Sequence, residues 1–144
     1  MKRIVSAALW AFLPTLLGLS AAAFAAWPTI GAPVCTATGN QHSLCSIPDG
    51  RGGVILAWVD SRNNRVDIYA QRLDALGLPT WAPNGVVVCS AYGDQITPGL
   101  VPDGQGGAII AWRDKRDEVA NGSDIFAQRI DAAGAVVWQN NGVP

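Results

Sequence analysis

The residues of this chain best suited to chemistry come in two matching sets. Trp58-x-Asp60-x-Arg62 recurs as Trp112-x-Asp114-x-Arg116. An indole offers a flat apolar face on which a sugar ring stacks, and a carboxylate and a guanidinium on the same side hold hydroxyls. Trp58, Asp60, Arg62, Trp112, Asp114 and Arg116 are therefore the candidate ligand-binding residues, with a glycan as the ligand class. The competing reading is packing: the indole fills space between layers, and the carboxylate pairs with the arginine or caps loop amides. Recurrence in both sets favours packing, because a pattern present in every unit belongs first to the scaffold. The same weighing applies to Trp81 and Trp138.

Other chemistries find less support. The chain has one histidine, His42, and no Gly-x-Ser-x-Gly elbow. A glycosidase needs two carboxylates roughly 5–10 Å apart in a cleft; Glu118 is the one acid that stands outside the recurring pattern. No catalytic residue and no cofactor are assigned, and the chain is read as a non-enzyme. Asp114, Asp117, Glu118, Asn121 and Asp124 crowd one loop, as Asp60, Asn63, Asn64 and Asp67 crowd another. Calcium takes several oxygens from a single loop, but no EF-hand spacing is present, so the default is a solvated acidic loop with no metal. Arg72 and Arg129, five residues after Asp67 and Asp124, are expected to pair with the aspartates of the preceding strand.

The elements that must position these groups are set by a repeat. Trp27, Cys35, Asp49 and Trp58 recur 54 residues on, as Trp81, Cys89, Asp103 and Trp112. The offset becomes 57 after a three-residue insertion, so Asp67, Arg72 and Trp81 recur as Asp124, Arg129 and Trp138. The repeats divide the chain into 26–80, 81–137 and a truncated third start, 138–144. Fixed-period self-similarity implies a supersecondary unit that must stack on its neighbours to bury its apolar face.

Each unit reads as four short strands. Residues 41–48 form the first. The turn 49–53, Asp-Gly-Arg-Gly-Gly, supplies positive-φ positions. Residues 54–59, Val-Ile-Leu-Ala-Trp-Val, are an unbroken apolar run, which suits a central strand covered on both faces. After a polar loop at 61–65, residues 67–74 alternate, with Ile68, Ala70 and Arg72 on one face and Tyr69, Gln71 and Leu73 on the other. The last strand is expected over 79–88, bent at Pro83-Asn84-Gly85. The second unit repeats the scheme at 108–113 and 124–131, and no helical period appears beyond the leader.

Four strands in about 50 residues, with tryptophan at fixed places, suit a blade of a β-propeller. The runs Gly-Gly-x-Ile-x-Ala-Trp-x-Asp-x-Arg (52–62), Asp-Ile-Tyr-Ala-Gln-Arg-x-Asp-x-x-Gly (67–77) and Trp-x-x-Asn-Gly (81–85), with their second copies, resemble the propeller-type repeats of large exported bacterial proteins. The resemblance implies an all-β fold of antiparallel four-stranded blades: about two blades and an extra strand, in an incomplete ring. Asp49 and Gly52 do not match the Asp-box spacing of sialidase-like propellers, so that chemistry is not implied. The expected partners are further blades or copies of the chain itself. By analogy with two-bladed fucose-binding lectins that trimerise, oligomerisation would close the ring.

The leader fits export. Lys2 and Arg3 precede an apolar stretch over 4–23, and Ala23-Phe24-Ala25 is a small-x-small site, placing cleavage between Ala25 and Ala26. Residues 1–25 are thus expected to be a signal peptide, without stable membrane insertion after cleavage. The remaining residues carry eight basic and eleven acidic groups, a net charge of −3. That balance offers no electrostatic reason to bind nucleic acid. The expected location is secreted, periplasmic or at a bacterial cell surface, where an oxidising compartment permits a Cys35–Cys45 disulfide. The expected role is a structural or binding segment of a larger secreted or surface protein. The alternatives are a carbohydrate-binding lectin that completes its propeller by oligomerising, and a fragment of a propeller glycosidase.

Overall fold

The computed structural model describes residues 30–144. The expected signal peptide, the cleavage site expected at Ala25 and Ala26, and Trp27 lie outside the described residues. Seven strands and one short helix follow one another: β1 Gln41–Pro48, β2 Val54–Asp60, β3 Asp67–Leu73, β4 Val86–Cys89, β5 Gln95–Pro102, β6 Ala108–Asp114, α1 Glu118–Asn121 and β7 Asp124–Ile130. They make two antiparallel sheets. Sheet 1 has the order β1-β2-β3-β4, and sheet 2 the order β5-β6-β7. Every neighbour in a sheet is also a neighbour in sequence, so each sheet is a meander.

The turns follow from aspartate placement. The Asp49 carboxylate accepts the backbone N–H groups of Arg51 and Gly53 at 2.7 and 2.8 Å, and Asp103 does the same for Gln105 and Gly107. Asp74 and Asp131 act alike two turns later, each accepting the N–H groups two and four residues on. An aspartate that bonds its own downstream amides folds the backbone locally.

The sheets stack face to face, with β5 packed across β1, β2 and β3. Ile55, Ala57, Val59, Ile68 and Ala70 of sheet 1 share one core with Ala108, Ile110, Trp112 and Ile130 of sheet 2. The backbone also crosses between sheets: Gln95 N–H donates to the Val66 carbonyl at 2.7 Å. Trp81 is the wedge at the outer end. It is 8% exposed, its Nε1–H donates to the Ala132 carbonyl at 3.2 Å, and a Cβ on Gly134 would lie 2.7 Å from its ring.

Two sequence expectations are corrected. The last strand of the first unit spans only Val86–Cys89, and Pro79 makes one isolated bridge to Leu73. Pro79 and Pro83 lack the N–H a ladder needs, and Asn84 and Gly85 sit at φ +64° and +90°. The three-residue insertion, read as loop, holds the single turn of helix α1. Residues 138–144 turn back onto sheet 2, where Val143 and Ala127 exchange backbone hydrogen bonds of 2.9 and 2.8 Å.

Gly85 is fixed by a close approach. A Cβ there would lie 2.5 Å from Cη2 of Trp58 and 2.8 Å from the Ala70 carbonyl oxygen; Gly142 meets Trp112 and Ala127 in the same way. Gly50, at φ +75°, has open space around it. Gly85→Ala is expected to cost at least about 2 kcal/mol and Gly50→Ala about 1 kcal/mol, because only the first adds a clash to the backbone penalty. Urea denaturation of the two variants checks the difference.

Candidate functional site

The structure brings the candidate ligand residues together, but faces them inward. Trp58 is 2% exposed and Asp60 is fully buried. Trp58 Nε1–H donates to Asp60 Oδ2 at 2.8 Å, and the Arg62 backbone N–H to Oδ1 at 2.9 Å. The Arg62 guanidinium closes on the carboxylate through Nε and Nη2, at 2.9 and 2.6 Å. Nη2 also reaches the Asn84 carbonyl at 2.8 Å, and the guanidinium lies 3.8 Å over the Tyr69 ring. Tyr69 is stacked on Trp58 at 6.3 Å between centroids. One carboxylate thus ties together β2, the loop after it and the bend before β4.

The second set is nearly superposable in its bonds. Trp112 Nε1–H donates to Asp114 at 2.8 Å, Arg116 makes bonds of 2.8 and 2.7 Å to the same carboxylate, and its Nη2 reaches the Asn141 carbonyl at 2.9 Å. Phe126 replaces Tyr69 under the guanidinium, at 3.7 Å. The six candidate residues therefore form no open sugar platform; they pair with one another, the use that their recurrence favoured. The indole N–H groups and both oxygens of each carboxylate already have partners inside the protein. Ring faces buried between strands offer no surface to a saccharide.

The electrostatics fit this use. Burial by itself would raise the Asp60 carboxyl, but hydrogen bonds from Arg62 and Trp58 outweigh it and hold Asp60 below the ordinary carboxylate range; Asp114 behaves alike. Asp49 and Asp103 are lowered too, against burial, by turn amides and by Arg72 and Arg129. A folded-state value below the unfolded one means stability present above about pH 4 and lost as pH falls through the folded value.

Asp67 is the exception. It is 1% exposed, its Oδ1 lacks a hydrogen-bond partner, and burial raises its carboxyl, with Arg65 opposing and Asp60 adding to the rise. Its folded value lies above the unfolded one, so ionisation at neutral pH weakens the fold, and protonation relieves the penalty. Asp67→Asn is expected to raise the urea midpoint at pH 7. The gain should shrink below about pH 4, where the wild-type carboxyl is protonated in both states. Equilibrium unfolding at the two pH values measures it.

Arg72 and Arg129 do not reach the aspartates of the preceding strands. Arg72 binds Asp49 through Nε and Nη2 at 2.9 and 2.7 Å, and Arg129 binds Asp103 at 2.9 Å. The register explains the correction. Arg72 stands opposite Ile55, at the start of β2, whereas Asp60 stands opposite Asp67 at its far end. Five residues of strand separate the two ends by roughly 17 Å.

Three buried glutamines, Gln71, Gln95 and Gln128, escaped the sequence reading, and two of them are equivalent. Gln71 Oε1 accepts the N–H groups of Arg72 and Trp81 at 3.0 Å, and its Nε2–H donates to the Ala82 carbonyl at 2.8 Å. Gln128 does the same for Arg129, Trp138 and Gln139. Their signal was the repeated Ala-Gln-Arg in a strand otherwise buried on that face.

In place of a Cys35–Cys45 disulfide the structure holds three free thiols. Cys35 lies 3.2 Å from Arg62 Nη2, while Cys45 turns to the Ala57 carbonyl at 3.5 Å, so the two sulfurs serve different neighbours. Cys89 is fully buried, and desolvation pushes its thiol up to about 11. It stays protonated and unreactive at neutral pH.

The acidic loop does not converge. Asp114 is engaged by Trp112 and Arg116, and Glu118 pairs with Lys115 at 2.9 Å. Among the described residues no group of three or more histidine, cysteine or acidic side chains is placed to hold a metal ion. Nor is any helix among them long and apolar enough to cross a membrane.

The open surface with mixed chemistry is elsewhere. A cleft of about 570 Å³ lies at the loop end of the two sheets, lined in part by Arg65, Tyr92, Asp94, Lys115 and Asp117. Tyr92 is 80% exposed and takes the place of Thr38 in the first unit. An unrepeated exposed ring beside charged groups is the kind of residue a ligand site adds to a scaffold. No family model, curated protein or solved structure matches this chain.

Proposed function

We propose that the chain is a non-catalytic, exported β-propeller repeat segment with a structural or binding role, part of a larger secreted or surface protein. The observation that carries this reading is the inward use of the recurring motif. In both sheets the tryptophan, aspartate and arginine pair with one another and tie strand to bend, leaving neither the indole N–H nor either carboxylate oxygen for a substrate. Face-to-face stacking of the two meanders about Trp81 suits successive blades. Expression in a bacterial host, with fractionation and mass spectrometry of the product, tests export. The reading expects a chain beginning at Ala26 outside the cytoplasm; an intact chain beginning at Met1 in the cytoplasm would oppose it.

The second reading, a carbohydrate-binding protein, is favoured by the exposed Tyr92 in the cleft between the loops. If it holds, binding on a glycan array is lost in Tyr92→Ala, while thermal stability is kept. A wild-type chain that binds no glycan removes this reading.

A further inference from the structure

Sheet 1 and sheet 2 have matching rows of residues with unequal burial. In sheet 1, Ile55 pairs with Ile47, Ala57 with Ala70, and Val59 with Ile68. β5 covers this face, and Ile55, Ala57, Val59 and Ile68 are at most 1% exposed. In sheet 2 the same rows are Val101 with Ile109, Ala111 with Ala127, and Arg113 with Ile125. Nothing described covers them. Val101 is 57% exposed and Ile125 65% exposed, and Trp138, in the place of Trp81, is 37% exposed.

The element that does the covering also has its counterpart. In β5, Gln95 and Pro98 are both buried. The corresponding residues of β1, Gln41 and Leu44, are exposed, Leu44 at 62%. Both strands carry the same irregularity: the register slips between His42 and Cys45 and between Ile96 and Gly99, with Ser43 at φ +53° and Thr97 at φ +56°. β1 is therefore shaped as β5 is, and it leaves an apolar side chain in solvent where β5 buries one. Even the backbone link has its parts: the Gln95–Val66 bond between sheets would be matched by Gln41 N–H and the Ser123 carbonyl.

We propose that the open face of sheet 2 is the docking site for strand β1 of a second copy of this chain, in the geometry by which β5 crosses sheet 1. The contact extends the interface already present inside the chain. It is heterologous, one face meeting a different face, so each bound copy presents the same two faces again and the assembly grows as a ring or a filament. The proposal rests on the propeller-segment reading and names its partner.

The test uses two variants with changes at exposed positions on opposite faces. Leu44→Arg blocks the β1 side, and Ile125→Arg blocks the sheet 2 side. The full chain is expressed from Met1, processed by the host, and measured by light scattering across a concentration series. The wild type is expected to exceed the one-chain mass, and each variant alone to fall to it with an unchanged circular dichroism spectrum. An equimolar mixture is expected to give a 1:1 dimer and nothing larger, because one good face remains on each variant. A wild type that stays at the one-chain mass would overturn the docking. So would variants that associate like the wild type, or a mixture that stays monomeric. A folded, exported monomer would sink this inference while leaving the propeller-segment reading in place.

Discussion

Asp60→Ala is expected to destabilise the chain by about 3–5 kcal/mol, the range found when one member of a buried ion pair is removed and the other left uncompensated. The carboxylate accepts bonds from the Trp58 indole, the Arg62 backbone and the Arg62 guanidinium, all at 2.9 Å or less. Its loss leaves an indole N–H inside a packed layer and a guanidinium whose side chain is only 15% exposed. The tie to the bend weakens too, because the guanidinium that holds the Asn84 carbonyl is no longer fixed. Asp114→Ala should cost a similar amount, since the bonds there match within about 0.1 Å. A ligand-binding role alone predicts the opposite: little loss of stability, and loss of binding. Urea unfolding of both variants, with wild-type m-value as the check on two-state behaviour, decides between them.

The second large effect separates two tryptophans that the sequence treats alike. Trp81→Ala is expected to cost about 3–5 kcal/mol, as large buried aromatics do when truncated. Trp138→Ala, measured on dilute chain, should cost about 1 kcal/mol or less, as surface changes generally do. Both open the same Trp-x-x-Asn-Gly run, and the backbone N–H of each donates to a buried glutamine. The difference lies in what stands opposite. Trp81 packs on Gly134 and bonds the Ala132 carbonyl of the next sheet, whereas Trp138 has no described sheet beyond it. Equal losses would mean that the inter-sheet wedge contributes little.

Much of the strand layout was legible because the turns announce themselves. Asp49 and Asp103 before glycine-rich turns, and Asp74 and Asp131 before Gly77 and Gly134, bracket the runs that become β2, β3, β6 and β7. The all-β antiparallel character follows from those brackets and from the uninterrupted apolar run of 54–59, which lies buried in the middle of sheet 1. The region after Pro79 was less legible. A strand there needs backbone donors that prolines remove, and the sequence does not say how far the bend at Asn84 and Gly85 extends.

The site was legible as a constellation and not as an orientation. Spacing put Trp58, Asp60 and Arg62 together, but whether an indole on a strand faces solvent or another layer depends on the stacking of sheets. The pairing of Arg72 with Asp49 was within reach of the sequence. Antiparallel register around the 61–65 loop places Arg72 beside the Asp49 turn and away from Asp60. The buried glutamines were missed because glutamine inside a strand carries no sequence mark of burial; repetition of Gln71 at Gln128 was the available sign. Tyr92 was missed for the opposite reason, since attention to recurring residues passes over an unrepeated one.

The central claim is that the recurring Trp-x-Asp-x-Arg motif is an internal fastening. Hydrogen exchange of the indole N–H groups, followed by NMR with each signal assigned through a single Trp→Phe variant, tests it most directly. The account predicts that the Trp58 and Trp112 protons, buried and bonded to Asp60 and Asp114, exchange at least about 100-fold more slowly than that of Trp138 in dilute, unassociated chain. Exchange of Trp58 and Trp112 as fast as Trp138 would place those indoles in solvent and contradict it.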